Sequence, residues 1–214
     1  MRQHSVKFGF EARYFQLGEL NEHTKKIVFV LHGYGQQAKY FIRKFQGIEN
    51  EDTCIIAPEG LSRFYLKGFS GRVGATWMTK EERLTDIANY ISYLNQIYSN
   101  VLSIFPPSNL PNITLLGFSQ GAATASRWAV NGLVSFDRLI LWAGIFPPDM
   151  DFEKASMIIQ NKEIHYVYGT EDPFITEERL TEMQTLSSRL EVSPKVTTFT
   201  GVHDIDPATL KDLF

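Results

Sequence analysis

Cysteine is almost absent from this sequence, since Cys54 is the only one among 214 residues. A single cysteine cannot form an intramolecular disulfide, so a disulfide-stabilised fold is excluded. The five histidines are dispersed and no paired His/Cys spacing occurs, so we predict no metal site. Cys54 lies in an apolar stretch of strand character, residues 53–57, where we expect a buried, unreactive thiol rather than a nucleophile.

Positive charge is not in excess either. The chain has 21 Lys and Arg residues against 24 Asp and Glu residues, a formal net charge of -3. The basic residues are scattered, so neither nucleic acid nor an anionic lipid surface is a predicted partner. No apolar run approaches the roughly 18 consecutive residues that span a bilayer, and residues 1–7 lack the apolar core of a signal peptide. We therefore expect a soluble cytoplasmic protein without stable membrane insertion, and leave open whether it forms a homodimer.

Internal repeats, low-complexity tracts and linkers are missing as well. Hydrophobic residues make up 43% of the chain and charged residues 21%, which is typical of a soluble globular protein. A chain of 214 residues can bury a core without disulfides or metals. We therefore predict one domain over residues 1–214.

Nearly continuous apolar runs alternate along the chain with patterns of helical spacing. The runs suit strands that are covered on both faces, whereas residues 6–17 alternate in polarity, as expected of a half-solvated strand or hairpin at a sheet edge. Strands that alternate with helices imply the α/β class, a mostly parallel sheet with helices on both faces. The predicted strands are residues 27–31, 53–57, 113–116, 139–143, 164–168 and 196–199, and the predicted helices are residues 38–45, 80–105, 119–130, 176–190 and 207–213.

One stretch, residues 60–78, has four glycines and four large aromatic side chains but no clean period. Loops of this length are usually functional or disordered, and the aromatic content argues against disorder. Two interpretations stand. The loop packs down on its own side chains, or it forms a wall of a substrate pocket to which Phe64, Tyr65, Phe69 and Trp77 contribute.

The sequence Gly117-Phe118-Ser119-Gln120-Gly121 has the form Gly-x-Ser-x-Gly. It lies between a predicted strand and a predicted helix, the context in which this motif forms a nucleophile elbow that exposes the serine hydroxyl. Ser119 is therefore a candidate nucleophile. The alternative is an ordinary strand-to-helix turn that Ser119 caps.

A serine nucleophile needs a base, because a free hydroxyl is almost wholly protonated near neutral pH. The elbow architecture places the acid and then the base after the serine, and only His165 and His203 follow Ser119. His165 lies inside a predicted strand, which indicates a packed residue. His203 follows the last predicted strand, at the sheet edge where α/β folds bind their ligands. We favour His203.

The orienting acid is expected in a loop between Ser119 and His203. Residues 169–173 follow a predicted strand and supply Glu171 and Asp172. We favour Asp172, because the following proline restricts its backbone and its short side chain loses less freedom when held. The alternative is an ordinary Asp-Pro turn.

An oxyanion hole in this architecture takes one backbone N–H from the residue after the nucleophile and one from a loop after an early strand. These residues are Gln120 and, in the loop His32-Gly33-Tyr34-Gly35, most naturally Tyr34. Glycines in that loop let backbone amides approach a ligand closely. His32 precedes Ser119 in the chain, so we interpret it as a structural residue that braces the loop.

Taken with Ala57-Pro58, Trp77, Gly169 and the motifs above, the chain from about residue 27 to its end resembles the α/β-hydrolase superfamily. Within it, the chain resembles the phospholipase/carboxylesterase family, which includes acyl-protein thioesterases and small bacterial carboxylesterases. The resemblance implies a Ser119–Asp172–His203 triad, an oxyanion hole from Tyr34 and Gln120, and no cofactor. Ala122, Val202 and Asp204 depart from the usual family pattern, and none of them removes a catalytic group.

We therefore predict a serine carboxylesterase that hydrolyses small to medium acyl esters through an acyl-enzyme, with thioesters and lysophospholipids as further candidate substrates. No large insertion separates the predicted strands, so we expect no cap domain and a fairly open site. The predicted binding partner is the substrate itself, a small-molecule ester. Two alternatives remain, an acyltransferase that uses an alcohol or amine in place of water and a catalytically silent binding protein on the same scaffold.

Overall fold

The computed structural model describes residues 1–214, in which strands alternate with helices. The strands are β1 (Tyr14–Leu17), β2 (Lys26–Leu31), β3 (Thr53–Pro58), β4 (Ser62–Tyr65), β5 (Val73–Thr76), β6 (Asn112–Phe118), β7 (Arg138–Trp142), β8 (Glu163–Gly169) and β9 (Lys195–Phe199). The α-helices are α1 (Ala38–Phe41), α2 (Arg83–Leu102), α3 (Gln120–Asn131), α4 (Phe152–Ile159), α5 (Glu177–Arg189) and α6 (Pro207–Leu213), and a 3₁₀ turn, Ile42–Phe45, continues α1.

Seven strands form one sheet in the order β1-β3-β2-β6-β7-β8-β9. Only the edge strand β1 is antiparallel to its neighbour, β3, and every other pair of neighbours is parallel. The carboxyl ends of the parallel strands therefore meet at one edge of the sheet, and the loops after β2, β6, β8 and β9 emerge there together. The predicted mostly parallel sheet is confirmed.

Apolar side chains cover both faces of the sheet. Ile27, Phe29 and Leu31 of β2 pack into one core together with α2 and α3. Val28 and Val30 pack into a second core, on the other face, together with α1, the 3₁₀ turn and α6. Because both faces are covered, the central strands are apolar at every position, which is why the sequence shows runs rather than alternation.

Cys54 lies buried in β3, as predicted, and its thiol is free. Burial raises the pKa of this thiol to about 12, with a smaller contribution from the Glu49 carboxylate. The thiol therefore stays protonated near neutral pH and is a poor nucleophile. No helix of the chain combines the length and the apolarity that crossing a membrane requires.

Three elements were not predicted, two strands and one helix. Residues 60–78 include an antiparallel hairpin, β4 and β5, in which Phe64 lies opposite Gly74. Asp151 precedes helix α4, and its carboxylate accepts the backbone N–H of Lys154 and so caps the helix. Only two of its eight residues are buried, and so short an apolar stripe leaves little periodicity in the sequence.

The prediction of a strand or hairpin over residues 6–17 is wrong for its first part. Only Tyr14–Leu17 forms a strand, and Val6 and Phe8 are exposed. The reason lies in the register of β1 on β3. Tyr14 is opposite Pro58, the last residue of β3, so residues before Tyr14 have no strand left to pair with.

Candidate active site

Ser119 occupies a strained turn between β6 and α3. Its backbone dihedrals are φ 54° and ψ -115°, a combination that residues with a side chain rarely adopt. The turn is held by the Ser119 N–H, which donates to the carbonyl of Trp142 on the neighbouring strand at 2.9 Å. Ser119 is partly exposed at the carboxyl edge of the sheet. The geometry is that of the nucleophile elbow that the motif predicted.

The two glycines of the motif are required by close backbone packing. A Cβ on Gly117 would collide with the backbone of Gly121, and a Cβ on Gly121 would collide with the carbonyl oxygen of Leu31 on β2. Helix α3 therefore starts in direct contact with two strands. This contact sets the position of Ser119 relative to the loop that follows β2.

His203 and Asp172 form a hydrogen bond in the same region. Nδ1 of His203 lies 2.7 Å from Oδ2 of Asp172, whose side chain is fully buried. The other oxygen of the Asp172 carboxylate accepts the backbone N–H of Phe174 at 2.9 Å. An ionised carboxylate only accepts, so Nδ1 of His203 carries a hydrogen, and in a neutral ring Nε2 is then free to take a proton.

Two aromatic rings hold the imidazole of His203. The ring of Phe118 lies 4.9 Å from it between centroids, and the ring of Phe174 meets it edge-on at 4.8 Å. Ser119 and His203 both line a cavity of about 490 Å³, and no direct hydrogen bond joins the two side chains. The imidazole can therefore exchange a proton with a group that enters this cavity.

The other two buried histidines are structural by their contacts. His165 lies in β8 with Arg138 and Glu163 beside its ring, and burial, followed by the charge of Arg138, lowers its pKa. Nδ1 of His32 donates to the carbonyl of Gly33, and Nε2 accepts the N–H of Gly60 at 2.9 Å. Burial lowers the pKa of His32 to about 4, so the ring is neutral and braces the loop, as interpreted from the sequence.

The two predicted oxyanion donors lie at this edge, Tyr34 in the loop after β2 and Gln120 at the start of α3. The N–H of Tyr34 donates to no protein acceptor. Gln120 is the first residue of α3, where a backbone N–H has no partner within the helix. Both N–H groups are therefore available to a ligand oxygen. No group of three or more His, Cys, Asp or Glu side chains is placed to hold a metal ion.

The aromatic residues predicted to bind substrate do not line the cavity. Trp77 is buried in the core and donates its indole N–H to the carbonyl of His32. Phe64 packs against the ring of Tyr34, and Tyr65 and Phe69 are exposed on the hairpin. The cavity wall is instead formed by two segments that were not predicted as part of the site, the loop after β7 and the segment after Asp172. Their lining residues are Ala143, Gly144, Ile145, Phe174, Ile175, Thr176, Glu178, Arg179 and Glu182.

The position of these segments was the signal that could have identified them. The loop after β7 and the segment that joins β8 to α5 both begin at the carboxyl ends of parallel strands, where α/β folds bind ligands. Ala143 itself has φ 50°, which bends the chain away from β7 beside Ser119. A Cβ on Gly144 would collide with the carbonyl of Ser119, so this loop packs directly on the elbow.

Comparison with known proteins finds a matching family and similar folds. A family model described as Phospholipase/Carboxylesterase matches residues 14–214. The structure of Zea mays acyl-protein thioesterase 2 has a TM-score of 0.70 at 17% identity and covers 95% of this chain and 96% of that chain. Esterase PE8 has a TM-score of 0.64 at 19% identity, with coverage of 95% and 96%. The Bacillus cereus carboxylesterase has a TM-score of 0.65 at 13% identity, with coverage of 94% and 91%.

At these identities the structural likeness concerns the fold. A search of curated protein sequences finds no match. The mostly parallel sheet, with a strained serine turn between β6 and α3, defines an α/β-hydrolase fold. The family model spans nearly the whole of it. The chain belongs to the phospholipase/carboxylesterase family of hydrolases.

Proposed function

We propose that this protein is a serine carboxylesterase in which Ser119 is the nucleophile, His203 the general base and Asp172 the residue that orients the base. One observation carries the proposal. The buried Asp172 carboxylate bonds Nδ1 of His203, and His203 shares a cavity with a serine held in a strained, partly exposed turn. A strained turn persists only where the surrounding structure enforces it, and such turns concentrate at functional sites.

The proposed reaction has two acyl-transfer steps. Nε2 of His203 takes the proton of Ser119 as Oγ attacks the ester carbonyl, and the resulting tetrahedral intermediate collapses when His203 gives that proton to the leaving alcohol oxygen. The acyl group is then bonded to Ser119. A water molecule repeats the sequence, with His203 as base and then as acid, and releases the carboxylic acid. Asp172 keeps the ring in the productive tautomer and stabilises its charged form.

The negative charge of the tetrahedral intermediate would form next to the backbone N–H groups of Tyr34 and Gln120. Neither group has an acceptor within its own loop or helix turn, so neither must break a bond to bind the oxyanion. A single donor of this kind contributes about 3–4 kcal/mol to the stability of the transition state.

The cavity supports small or medium acyl esters as substrates. A volume of about 490 Å³ lies within the range of small-molecule sites, and Ile145, Phe174 and Ile175 give it an apolar part. Apart from the β4–β5 hairpin, no segment between two strands of the sheet holds more than one α-helix, which supports a site without a cap domain. One structural neighbour is named an acyl-protein thioesterase, so acyl thioesters belong in the substrate panel.

Replacing Ser119 with Ala tests the proposal. We expect the wild-type protein to hydrolyse p-nitrophenyl esters and to be labelled stoichiometrically by a fluorophosphonate, and the Ser119→Ala variant to do neither. Ser126→Ala is the matched control, because Ser126 lies in α3, the helix that follows Ser119, and its hydroxyl bonds only the carbonyl of Ala122. A Ser119→Ala variant that keeps most of the wild-type rate would overturn the assignment.

Measurements on the wild-type protein with an acyl-length series and with added acceptors separate the alternatives. A protein that is neither labelled nor active on an acyl-length series of esters and thioesters is a binding protein on this scaffold. An active protein that forms a new ester or amide when an alcohol or amine is added, in preference to the free acid, is an acyltransferase. The cytoplasmic location remains a prediction from the sequence, and whether the protein forms a homodimer stays open.

A further inference from the structure

The side-chain amide of Gln120 is bonded through both its oxygen and its nitrogen to a neighbouring segment. Its Oε1 accepts the N–H of Trp77 at 3.2 Å and lies 3.0 Å from the hydroxyl of Thr76, and its Nε2 donates to the carbonyl of Met78 at 3.0 Å. All three partners lie within residues 75–78, which we call the spacer segment. A glutamine in the first turn of a helix is ordinarily solvated and mobile, whereas this one is held from both ends of its amide.

The spacer segment also bonds the loop that follows β2. The carbonyl of Ala75 accepts the N–H of Gly35 at 2.9 Å, and the N–H of Ala75 donates to the carbonyl of Gln36 at 2.9 Å. The indole of Trp77 donates to the carbonyl of His32 at 2.8 Å. These three bonds hold the loop on both sides of Tyr34. Ala75, Thr76 and Trp77 are buried, so the bonds form away from solvent, where an unpaired group is costly.

One segment therefore contacts both the loop that carries Tyr34 and the start of α3 that carries Gln120, the two proposed oxyanion donors. We propose that the spacer segment sets the separation between the N–H groups of Tyr34 and Gln120, and that the Gln120 side chain is a positioning group for catalysis. The inference rests on the proposed function. Donors of an oxyanion hole act only when they lie about 2.7–3.1 Å from the developing charge. Releasing either donor from the spacer segment therefore reduces the stabilisation of the transition state and leaves the affinity for substrate unchanged.

Thr76→Val is the first test variant. Valine keeps the shape and the strand preference of threonine but removes the hydroxyl shared between Gln120 and the carbonyl of Met78. Thr24→Val is the matched control. Thr24 is also buried and its hydroxyl also makes two hydrogen bonds, to Asn21 and Glu19, but it precedes β2 at the opposite edge of the sheet. Gln120→Met is the second variant, because methionine keeps the length of the side chain and removes all of its bonds to the spacer segment.

The readouts are kcat and KM for p-nitrophenyl butyrate and the inhibition constant of a trifluoromethyl ketone, which forms an oxyanion adduct with the serine. We expect kcat to fall about tenfold in Thr76→Val and further in Gln120→Met, with KM within about twofold of wild type. The affinity for the ketone should fall in parallel with kcat. The Thr24→Val variant should lose thermal stability and keep both constants.

Values of kcat within about twofold of wild type in both variants, or a fall in kcat without a parallel loss of ketone affinity, would overturn the positioning role. An equal fall in Thr24→Val would do the same, because it would show a general effect of lost stability. The failure of the proposed function is distinct from these results. In that case the wild-type protein is itself inactive and unlabelled by the fluorophosphonate, so there is no kcat against which the variants can be compared.

Discussion

The carboxylate of Asp172 lies 2.7 Å from Nδ1 of His203 and is sealed from solvent. Its two oxygens have different partners, since Oδ1 accepts the N–H of Phe174 and Oδ2 faces the imidazole. The backbone of Phe174 therefore fixes which oxygen is left for His203. This division of partners determines what a carboxamide at the same position would do.

In an Asp172→Asn variant the N–H of Phe174 still requires an oxygen, so the NH₂ group of the new side chain faces Nδ1 of His203. The imidazole must then accept at Nδ1 and carry its hydrogen on Nε2, which leaves no base for Ser119. We expect kcat for p-nitrophenyl esters to fall about 10⁴-fold while the thermal unfolding midpoint stays close to wild type. Glu171→Gln is the control, because Glu171 is adjacent and exposed, and it should keep full activity. Loss of activity in Glu171→Gln with activity retained in Asp172→Asn would assign the acid to Glu171.

The strain at Ser119 gives a prediction about stability rather than rate. Glycine adopts the dihedrals of Ser119 without the cost of about 1–3 kcal/mol that a side chain incurs there. Glycine also makes the unfolded chain more flexible, which offsets part of the gain. We expect Ser119→Gly and Ser119→Ala to be equally inactive, and Ser119→Gly to be the more stable by about 1 kcal/mol in urea unfolding.

Ser126 provides the control for that comparison because it lies within helix α3, where backbone dihedrals are ordinary. The Ser126→Gly variant should be less stable than Ser126→Ala by about 1 kcal/mol, the opposite sign to the difference expected at Ser119. If the glycine variant is less stable than the alanine variant at both positions, a side chain at position 119 adds no strain to the turn.

The sequence was sufficient to predict the central sheet because each parallel strand is covered on both faces. The burial of β2 and β3 on both sides requires an apolar run, and a run is visible without knowledge of its neighbours. Strand β4 has no such signature. Its residues are mostly exposed, and pairing with β5 is what makes it a strand, so only the fold reveals it.

The candidate site was predicted as far as position along the chain can predict it. Ser119, Asp172 and His203 each follow a strand of the parallel sheet, and the topology brings such positions to one edge. The aromatic residues predicted as a pocket wall do not line this cavity, and their part in substrate binding stays a prediction. Aromatic side chains suggested a pocket, but Trp77 is held in the core by the carbonyl of His32, whereas the small residues Ala143 and Gly144 line the cavity.

Burial of His32 predicts that stability is lost on acidification. Its pKa is lowered from 6.5 to about 4 in the folded chain, so between these values the unfolded chain binds a proton that the folded chain does not. The contribution of the neutral His32 ring to the free energy of unfolding is therefore complete above pH 6.5 and is lost as the pH falls toward about 4. We expect the free energy of unfolding in urea to drop by about 2 kcal/mol more in wild type than in His32→Gln between pH 7.5 and pH 5. Glutamine can accept the N–H of Gly60 as Nε2 does, but it does not titrate. Equal pH slopes in the two proteins would show that His32 takes up its proton without unfolding.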